Sequence, residues 1–443
     1  MTSLDAAYAY ADIPASGLGE SAQRVLMALM WLVLLQMLLL PSPLLTLLTG
    51  YAEPGGGVPL FKIHFYTYTL ALAFAFVVAG AGLVRFMSQQ IAERPGVIQF
   101  AAVVCFCAVI TLSRQGMGGV AYMADTLLAA PLAVMLAMSL DEERRRRLTA
   151  FIIYFVTFNA IIGIVERIAG LNLLFVDLND ALHFRATALL GHPLENAFVT
   201  SSMMFVAVAM PWPAWRKFLV LSICMAGILA FGARSSFAVT ILLGITATVF
   251  FGTRALLRGD MRFSTLVAAP WIALVAFVAG TALTLGTVLG ERIVKLAKFD
   301  QSAQARVDTF KVFDYLGPNE LLYGVDFAEL NFMLDINNDV KIIENCWIAI
   351  LLLLGAVLFV LFAVSLLGFL RSIARGRGAV AGFAVLSFLI VASTSNSLST
   401  KSPSLALFAV AMVGIPLVAR RRDAPNDGRA VRYTPPLRDG AWS

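Results

Sequence analysis

The sequence predicts an all-α, polytopic membrane protein, and three observations point to that fold class. Of its 443 residues, 60% are hydrophobic and only 14% are charged. Its mean hydropathy is +0.84, so the chain carries more apolar surface than a soluble protein of this size can bury. Apolar runs of about 16–25 residues recur along the chain, and a helix of about 20 residues crosses a bilayer.

About twelve of these runs are expected to span the membrane, separated by polar, proline or glycine residues. We assign residues 1–24 to a cytoplasmic segment, 25–419 to one integral membrane domain and 420–443 to a disordered cytoplasmic tail. No basic region precedes the first run, so a cleaved signal peptide is not expected. The expected span centres are Trp31, Ala75, Val104, Leu132, Phe155, Phe205, Met225, Leu243, Val275, Val357, Phe388 and Val410.

The formal net charge of +6 is unevenly distributed between alternate loops. By the positive-inside rule the arginine-rich loops are cytoplasmic, which places both termini there. This pattern accounts for the charge without a nucleic-acid partner, and the run Arg144–Arg147 is interpreted as an anchor at membrane lipid head groups. The basic residues of these loops are Arg85, Arg94, Arg144–Arg147, Arg216, Lys217, Arg254, Arg258, Arg262, Arg371, Arg375, Arg377 and Arg420–Arg422.

A loop at residues 291–343 is the only polar stretch long enough to form a site outside the bilayer, and it is predicted to face the periplasm of a bacterium. Within it, a helix is expected to start near Asp300 or Ser302 and to stop at Gly317-Pro318. The four cysteines are Cys105, Cys107, Cys224 and Cys346, and their positions imply no disulfide framework.

Four polar clusters lie on the outward side, at or just outside the predicted span ends. They are Arg185–Asn196, Arg234–Ser236, Arg306–Asp326 and Glu344-Asn345. Because side chains from different helices can meet at one membrane face, we expect these clusters to contribute to a single cavity.

Each candidate residue in these clusters has a functional and a structural interpretation. Phe310, four residues after Arg306, can hold that guanidinium with its donors free for an anion, although a loop acid could pair with Arg306 instead. Arg234 can bind an anion or reach the lipid head groups. His192 can act as an acid or base, or cap a turn. Glu195 suits the first turn of a helix.

These clusters together resemble the bacterial O-antigen ligase and Wzy-type polysaccharide polymerase superfamily. An Arg-x-Thr-Gly-x-x-x-x-Pro-Asn-like pattern is matched by residues 185–193, and a Ser-Arg-Gly/Ser element by Ala233-Arg234-Ser235-Ser236. A loop element Arg-x-x-x-Trp corresponds to residues 306–310, and the turn that follows it to residues 321–326. The chain departs from the pattern at Phe310, where Trp is usual, and at Asp326, where Gly is usual.

The departure that matters most follows the long loop, where ligases place a His-Asn pair. This chain has Glu344-Asn345 instead, which favours the polymerase branch. The resemblance implies a GT-C-like fold and an inner-membrane enzyme that joins undecaprenyl-diphosphate-linked oligosaccharides into exopolysaccharide, capsule or O-antigen. It also implies a flippase and a chain-length regulator as partners.

The implied reaction is an inverting transfer that needs no cofactor or metal, because the diphosphate leaving group is already activated. Arg234 and Arg306 are expected to stabilise its charge, and Glu344, or else His192, to accept the proton. Residues expected to hold substrate are Arg185, Glu195, Asn196, Phe310, Asn345 and Lys401.

Two other functions remain open. An O-antigen ligase would use the same donor and transfer the glycan to lipid A-core. A polytopic transporter also suits about twelve spans with both ends inside, but the chain shows no internal repeat and few ionisable residues within the spans.

Overall fold

The computed structural model describes residues 18–51, 59–173, 184–259, 309–326 and 345–418, together with residues 330, 332 and 343. All regular secondary structure in these residues is helical, as the composition predicts. The α-helices are α1 Glu20–Leu39, α2 Ser42–Thr49, α3 Phe65–Ala81, α4 Leu83–Glu93, α5 Pro95–Tyr122, α6 Ala129–Met138, α7 Glu142–Ala169, α8 Pro193–Ala209, α9 Ala214–Phe231, α10 Arg234–Leu257, α11 Pro318–Tyr323, α12 Cys346–Ala374, α13 Gly378–Ala392 and α14 Ser404–Val413.

Seven helical stretches in the described part of the chain are long and apolar enough to span a membrane. An eighth arises if α3 and α4, which meet at 105°, form one span, and α13 and α14 are shorter apolar helices. Every predicted span centre except Val275 lies in a described helix, and Val275 lies outside the described residues. The chain is therefore a multi-pass helical membrane protein, and the full count of about twelve stays a prediction.

Helix ends meet at two opposite ends of the bundle. At one end Arg144 pairs with Glu20, which joins the starts of α7 and α1. Arg94, which precedes α5, donates to carbonyl groups at the end of α12, and Arg377 donates to Val413 O at 2.8 Å. We call this end, with Arg94, Arg144–Arg147 and Arg377, the basic face. It carries the arginine-rich loops that the sequence predicts to be cytoplasmic.

The opposite end is called the polar face. It contains the α1–α2 turn, the start of α3, residues 184–192, the starts of α8, α10 and α14, and a π-helical segment at Met123–Leu128. Glycines allow close helix packing between the two faces. A Cβ atom at Gly227 of α9 would overlap Ala160 of α7, and one at Gly96 of α5 would overlap Gly368 O of α12.

Two long helices are broken at glycines with positive φ, α5 at Gly116 and α12 at Gly355. The described part of the long loop packs at the second break. Val325 N donates to Leu352 O at 2.8 Å, and Gly324 lies against Gly355. Since Leu352 is six residues into α12, this contact lies about 9 Å along its axis. Part of the predicted outer loop is thus packed against a membrane helix.

The prediction of an α-helix through Phe310 is wrong for the part of this segment that the structure describes. Thr309–Tyr315 forms a 3-10 helix, and an α-helix follows only after Gly317, with Pro318 in its first turn. The 3-10 segment is short because the Gly-Pro pair ends it within two turns. Val312 anchors the segment by packing with Val325 and Leu352. Asp300, Ser302 and Arg306 lie outside the described residues.

Candidate functional site

The polar face contains a small cleft whose cavity volume is about 10 Å³, roughly the room that one water molecule needs. It lies between the α1–α2 turn, the start of α3, the loop before α8 and the start of α14. Three of its lining residues, Ser42, His64 and Glu195, are polar. The rest of the lining is apolar and consists of Met37, Leu40, Pro41, Leu190 and Pro403. Binding and active sites also combine an apolar lining with a few convergent polar groups, but at about 300–1,000 Å³ they are larger than this cleft.

Glu195 is the acidic residue of this cleft. It lies in the first turn of α8, where the helix dipole favours a carboxylate. Its Oε1 accepts hydrogen bonds from Ser402 Oγ at 2.5 Å and Ser404 Oγ at 3.2 Å. Within the described residues Glu195 forms no ion pair, and Oε2 accepts no hydrogen bond. One carboxylate oxygen is therefore held by hydroxyl groups, while the other remains available to a water-sized group in the cleft.

The loop that leads into α8 is held by a buried carboxylate from α7. Glu166 Oε2 accepts from the backbone N–H groups of Thr187 and Ala188, each at 2.9 Å, and Oε1 accepts from Leu173 N at 2.9 Å. Ala188 has φ 41°, a value that is uncommon outside glycine. Such a conformation persists only where the surroundings fix it, and Glu166 does so here.

Asn196 contributes to the same loop rather than to the cleft. Its Nδ2 donates to Thr187 O at 2.5 Å and His192 O at 3.0 Å, while its Oδ1 accepts from Asn159 Nδ2 at 2.6 Å. Asn196 is fully buried. The amide predicted to hold substrate thus positions the backbone between Thr187 and His192. His192 itself is exposed at the N-cap of α8.

The segment before α14 is bonded to two other elements of the polar face. Thr126 Oγ1, in the π-helical segment, donates to Thr400 O at 2.8 Å and accepts from Ser402 N at 3.1 Å. Ser42 Oγ, at the start of α2, donates to Lys401 O at 2.7 Å. These bonds fix the position of Ser402 and hence of its hydroxyl group on Glu195.

Lys401 was predicted to hold sugar or phosphate, but its ammonium group is bound within the protein. Nζ donates to Tyr51 O at 2.9 Å and Lys62 O at 2.8 Å, and it lies 4.2 Å from the centroid of the Tyr51 ring. Burial lowers the pKa of Lys401 to about 8. The geometry therefore assigns Lys401 to the joining of two loops, the one before α14 and the one between α2 and α3.

Asp125 is the second buried carboxylate of the polar face, and it lies in the π-helical segment. It accepts from Tyr51 Oη at 2.7 Å, Thr67 Oγ1 at 2.6 Å and the backbone N–H of His64 at 3.0 Å. These three groups satisfy both oxygens of the Asp125 carboxyl group. Asp125 thus ties the loop between α2 and α3 to the helices beneath it.

His64 lines the cleft as a neutral imidazole. Its Nδ1 accepts from Tyr66 N at 3.2 Å, which leaves Nε2 to donate to Leu40 O at 2.7 Å. Burial lowers the pKa of His64 to about 4. Both ring nitrogens are used within the protein, and the ring acts as a wall of the cleft.

The remaining predicted site residues are placed as follows. Arg234 begins α10 at the polar face, after Gly232 with φ 72°. Arg185 lies in the loop that Glu166 holds. Asn345 caps α12, because its Oδ1 accepts from Trp347 N at 2.9 Å. Phe310 is 58% exposed. Arg306 and Glu344, and with them the predicted stacking of Arg306 on Phe310, lie outside the described residues.

Several residues of the site were not identified from the sequence, namely Asp125, Tyr51, His64, Ser402, Ser404 and Glu166. A signal was present for Asp125, because it is a lone acid inside an apolar run. Across the residues that the structure describes, no three His, Cys, Asp or Glu side chains are close enough to hold a metal ion. Their four cysteines carry no disulfide.

The fold and the cleft define a multi-pass helical membrane protein with a polar site at one face. No protein-family model matches the chain, and no curated protein sequence matches it.

Proposed function

We propose that the protein is a Wzy-type polysaccharide polymerase of a bacterial inner membrane. In this proposal the polar face is periplasmic, and the enzyme joins undecaprenyl-diphosphate-linked oligosaccharides there. The GT-C-like arrangement and the full set of spans are part of the same proposal. The observation that carries it is Glu195, one of whose carboxylate oxygens has no partner among the described residues and faces a cleft at the polar face, where the loop 185–193 and the start of α10 also lie.

The chemistry requires a proton acceptor beside the acceptor sugar. The hydroxyl oxygen attacks the anomeric carbon, the bond from that carbon to the diphosphate oxygen breaks, and undecaprenyl diphosphate leaves with the electron pair. The hydroxyl proton passes to a carboxylate. We assign that role to Glu195. The sequence predicted Glu195 to bind substrate, and the proposal places it at the reacting centre instead. Glu344 and His192 remain the alternatives predicted from sequence.

The conformation of Ala188 supports the resemblance on which this proposal rests. The superfamily pattern has Gly at the position of Ala188, and Ala188 has a positive φ that glycine adopts at no cost. The backbone of residues 185–191 thus has a shape suited to the pattern even where the residue departs from it. Glu166 supplies the hydrogen bonds that hold this shape.

The diphosphate would bind near the arginines of the polar face. Arg185 and Arg234 both lie there, and Arg306 belongs to the predicted set. A guanidinium can donate two parallel hydrogen bonds to phosphate oxygens. Lys401 and Asn196 are not part of this set, since their polar atoms are bonded within the protein.

The experiment is a reconstitution. The purified protein in lipid vesicles receives the undecaprenyl-diphosphate repeat unit of its host, and the products are analysed by gel and mass spectrometry. We expect a ladder spaced by one repeat unit, formed without metal or nucleotide sugar. Transfer that requires lipid A-core would identify a ligase. Absence of product with an authentic substrate would contradict glycosyl transfer.

Transport is the second candidate, because one observation favours it. Asp125 is a buried acid in a π-helical segment, and α5 breaks at Gly116 close by. Interrupted helices and buried acids often mark transport pathways. Movement of lipid-linked oligosaccharide across vesicles without a glycan ladder would favour this function. The three donors on Asp125 instead favour a structural role, and we rank transport second.

A further inference from the structure

The turn between α8 and α9 lies at the basic face and carries an arginine in an unusual setting. Arg216 is in the first turn of α9, three residues after Pro213. Its guanidinium carbon lies 4.9 Å from the Trp212 ring centroid and 5.0 Å from that of Tyr154. The two rings stack on each other at 5.2 Å, with 12° between their planes. Cation–π contact with both rings holds the guanidinium in place.

The donors of Arg216 have no acceptor among the residues that the structure describes. Within the described residues its guanidinium forms no hydrogen bond and no ion pair. Two arginines of the run Arg144–Arg147 differ in this respect. Arg144 pairs with Glu20, and Arg147 pairs with Glu143 at 3.0 Å. Arg216 is thus a cation that the protein positions but does not neutralise.

The surroundings of Arg216 suit the boundary between lipid tails and head groups. Trp215 is 68% exposed and Phe218 is 74% exposed, on the same short stretch of α9. Tryptophan is enriched at membrane interfaces because its ring is apolar and its N–H is polar. The neighbouring Lys217 adds positive charge, and it is fixed by donating to Val208 O at 2.7 Å near the end of α8.

We propose that this turn binds the phosphate of an anionic phospholipid head group. Arg216 donates to the phosphate oxygens, Lys217 adds to the local positive potential, and Trp215 and Phe218 contact the acyl chains. The phosphate supplies the acceptors that Arg216 lacks, since a guanidinium presents planar donors that match phosphate. A basic site between membrane helices on the predicted cytoplasmic side is suited to such lipids. The proposal is independent of the glycosyltransferase activity.

The test is native mass spectrometry of the full chain in mild detergent, with phosphatidylglycerol or phosphatidylcholine of the same acyl chains. We expect wild-type protein to retain phosphatidylglycerol in preference to phosphatidylcholine. Arg216→Gln should lower that preference about tenfold, the effect of one charge-assisted hydrogen bond. Arg216→Lys keeps the charge without the planar donors and should lower it partially.

Arg147→Gln is the matched control, since it removes one positive charge from the same face, at an arginine that is paired with Glu143. We expect this variant to bind lipid as wild type does. An equal loss in both variants, or no loss in Arg216→Gln and Arg216→Lys, would overturn the proposal. So would displacement of the lipid by excess inorganic phosphate, because the ligand would then be a soluble anion.

Discussion

The acidic side chains of the two faces of this membrane protein have different kinds of partners. At the polar face, Glu195 and Asp125 are held by hydroxyl and backbone donors, and no arginine among the described residues pairs with either. At the basic face, Glu20 and Glu143 form exposed ion pairs with arginines. The same helices connect both faces, so the difference arises from the residues at their ends.

This difference distinguishes the candidate site at the polar face from the predicted lipid anchor at the basic face. Exposed ion pairs contribute little to stability, because solvent screens both charges. A carboxylate held by neutral donors has no counter-charge and depends on the surrounding fold for its position. We therefore expect substitutions at the polar face to affect activity and stability far more than matched substitutions at the basic face.

The largest expected effect is on catalysis. Glu195→Gln removes the proposed proton acceptor but keeps the size of the side chain, so the polymerisation rate should fall by about 10²–10⁴-fold. Initial rates with the lipid-linked repeat unit measure this. Glu143→Gln at the basic face should leave the rate unchanged. A near-normal rate for Glu195→Gln would remove Glu195 from the reacting centre.

The next effect is on stability. Asp125→Asn places an amide N–H₂ where one carboxylate oxygen accepts from the backbone N–H of His64, which can only donate, so bonding is weakened in a fully buried position. The free energy of unfolding should fall by about 3 kcal/mol. Thermal unfolding in detergent measures the change.

Glu20→Gln is the matched substitution at the basic face. Because Glu20 is exposed and its ion pairs are with Arg24 and Arg144, the melting temperature should stay within error of wild type. Equal destabilisation by the two variants would contradict the contrast between the faces.

A smaller loss is expected where the long loop meets α12. Gly355 has φ 76°, and a Cβ atom there would overlap the backbone of Leu322 and Tyr323. Gly355→Ala should lower the free energy of unfolding by about 2 kcal/mol. Gly382, near the basic-face end of α13, has no atom within 4 Å of the corresponding position. Gly382→Ala should be neutral or slightly stabilising.

The smallest effect concerns pH. The pKa of Lys401 is lowered to about 8, chiefly by burial, so the folded state loses this proton before the unfolded state does. Below pH 8 the folded state carries the full free-energy cost of burying the charged Lys401 ammonium group. This cost falls as the pH rises toward the ordinary lysine pKa. Lys401→Met should therefore flatten the rise in melting temperature that wild type shows between those values. An unchanged slope would contradict the lowered pKa.

The sequence predicted the helices of the described chain better than the roles of its polar residues. Trp31, Phe155 and Val410 were placed in helices from apolar run length alone, since hydropathy acts locally. Glu195 was identified because an acid in a first helical turn has a local signature. Its partner Ser402 could not be found, because the two residues are 207 positions apart and meet only in the folded bundle.

The location of polar residues was also easier to predict than their role. Asn196 and Lys401 were selected as polar residues at the outward face, and both do lie there. Their atoms are bonded to backbone carbonyl groups of other segments, which only the three-dimensional fold brings near. The 3-10 helix at Thr309–Tyr315 was expected as part of an α-helix, because the caps and stop signals of the two forms are the same in sequence.

The most direct test of the account blocks the cleft. Ser42 lines it, and Ser88 is exposed on α4, toward the basic face. In a Cys105→Ala background, Ser42→Cys and Ser88→Cys are each reacted with a bulky hydrophilic maleimide, and the glycan ladder is measured before and after labelling. The account predicts that labelled Ser42→Cys loses the ladder while labelled Ser88→Cys keeps it. Full activity of labelled Ser42→Cys would contradict the placement of the reaction in this cleft.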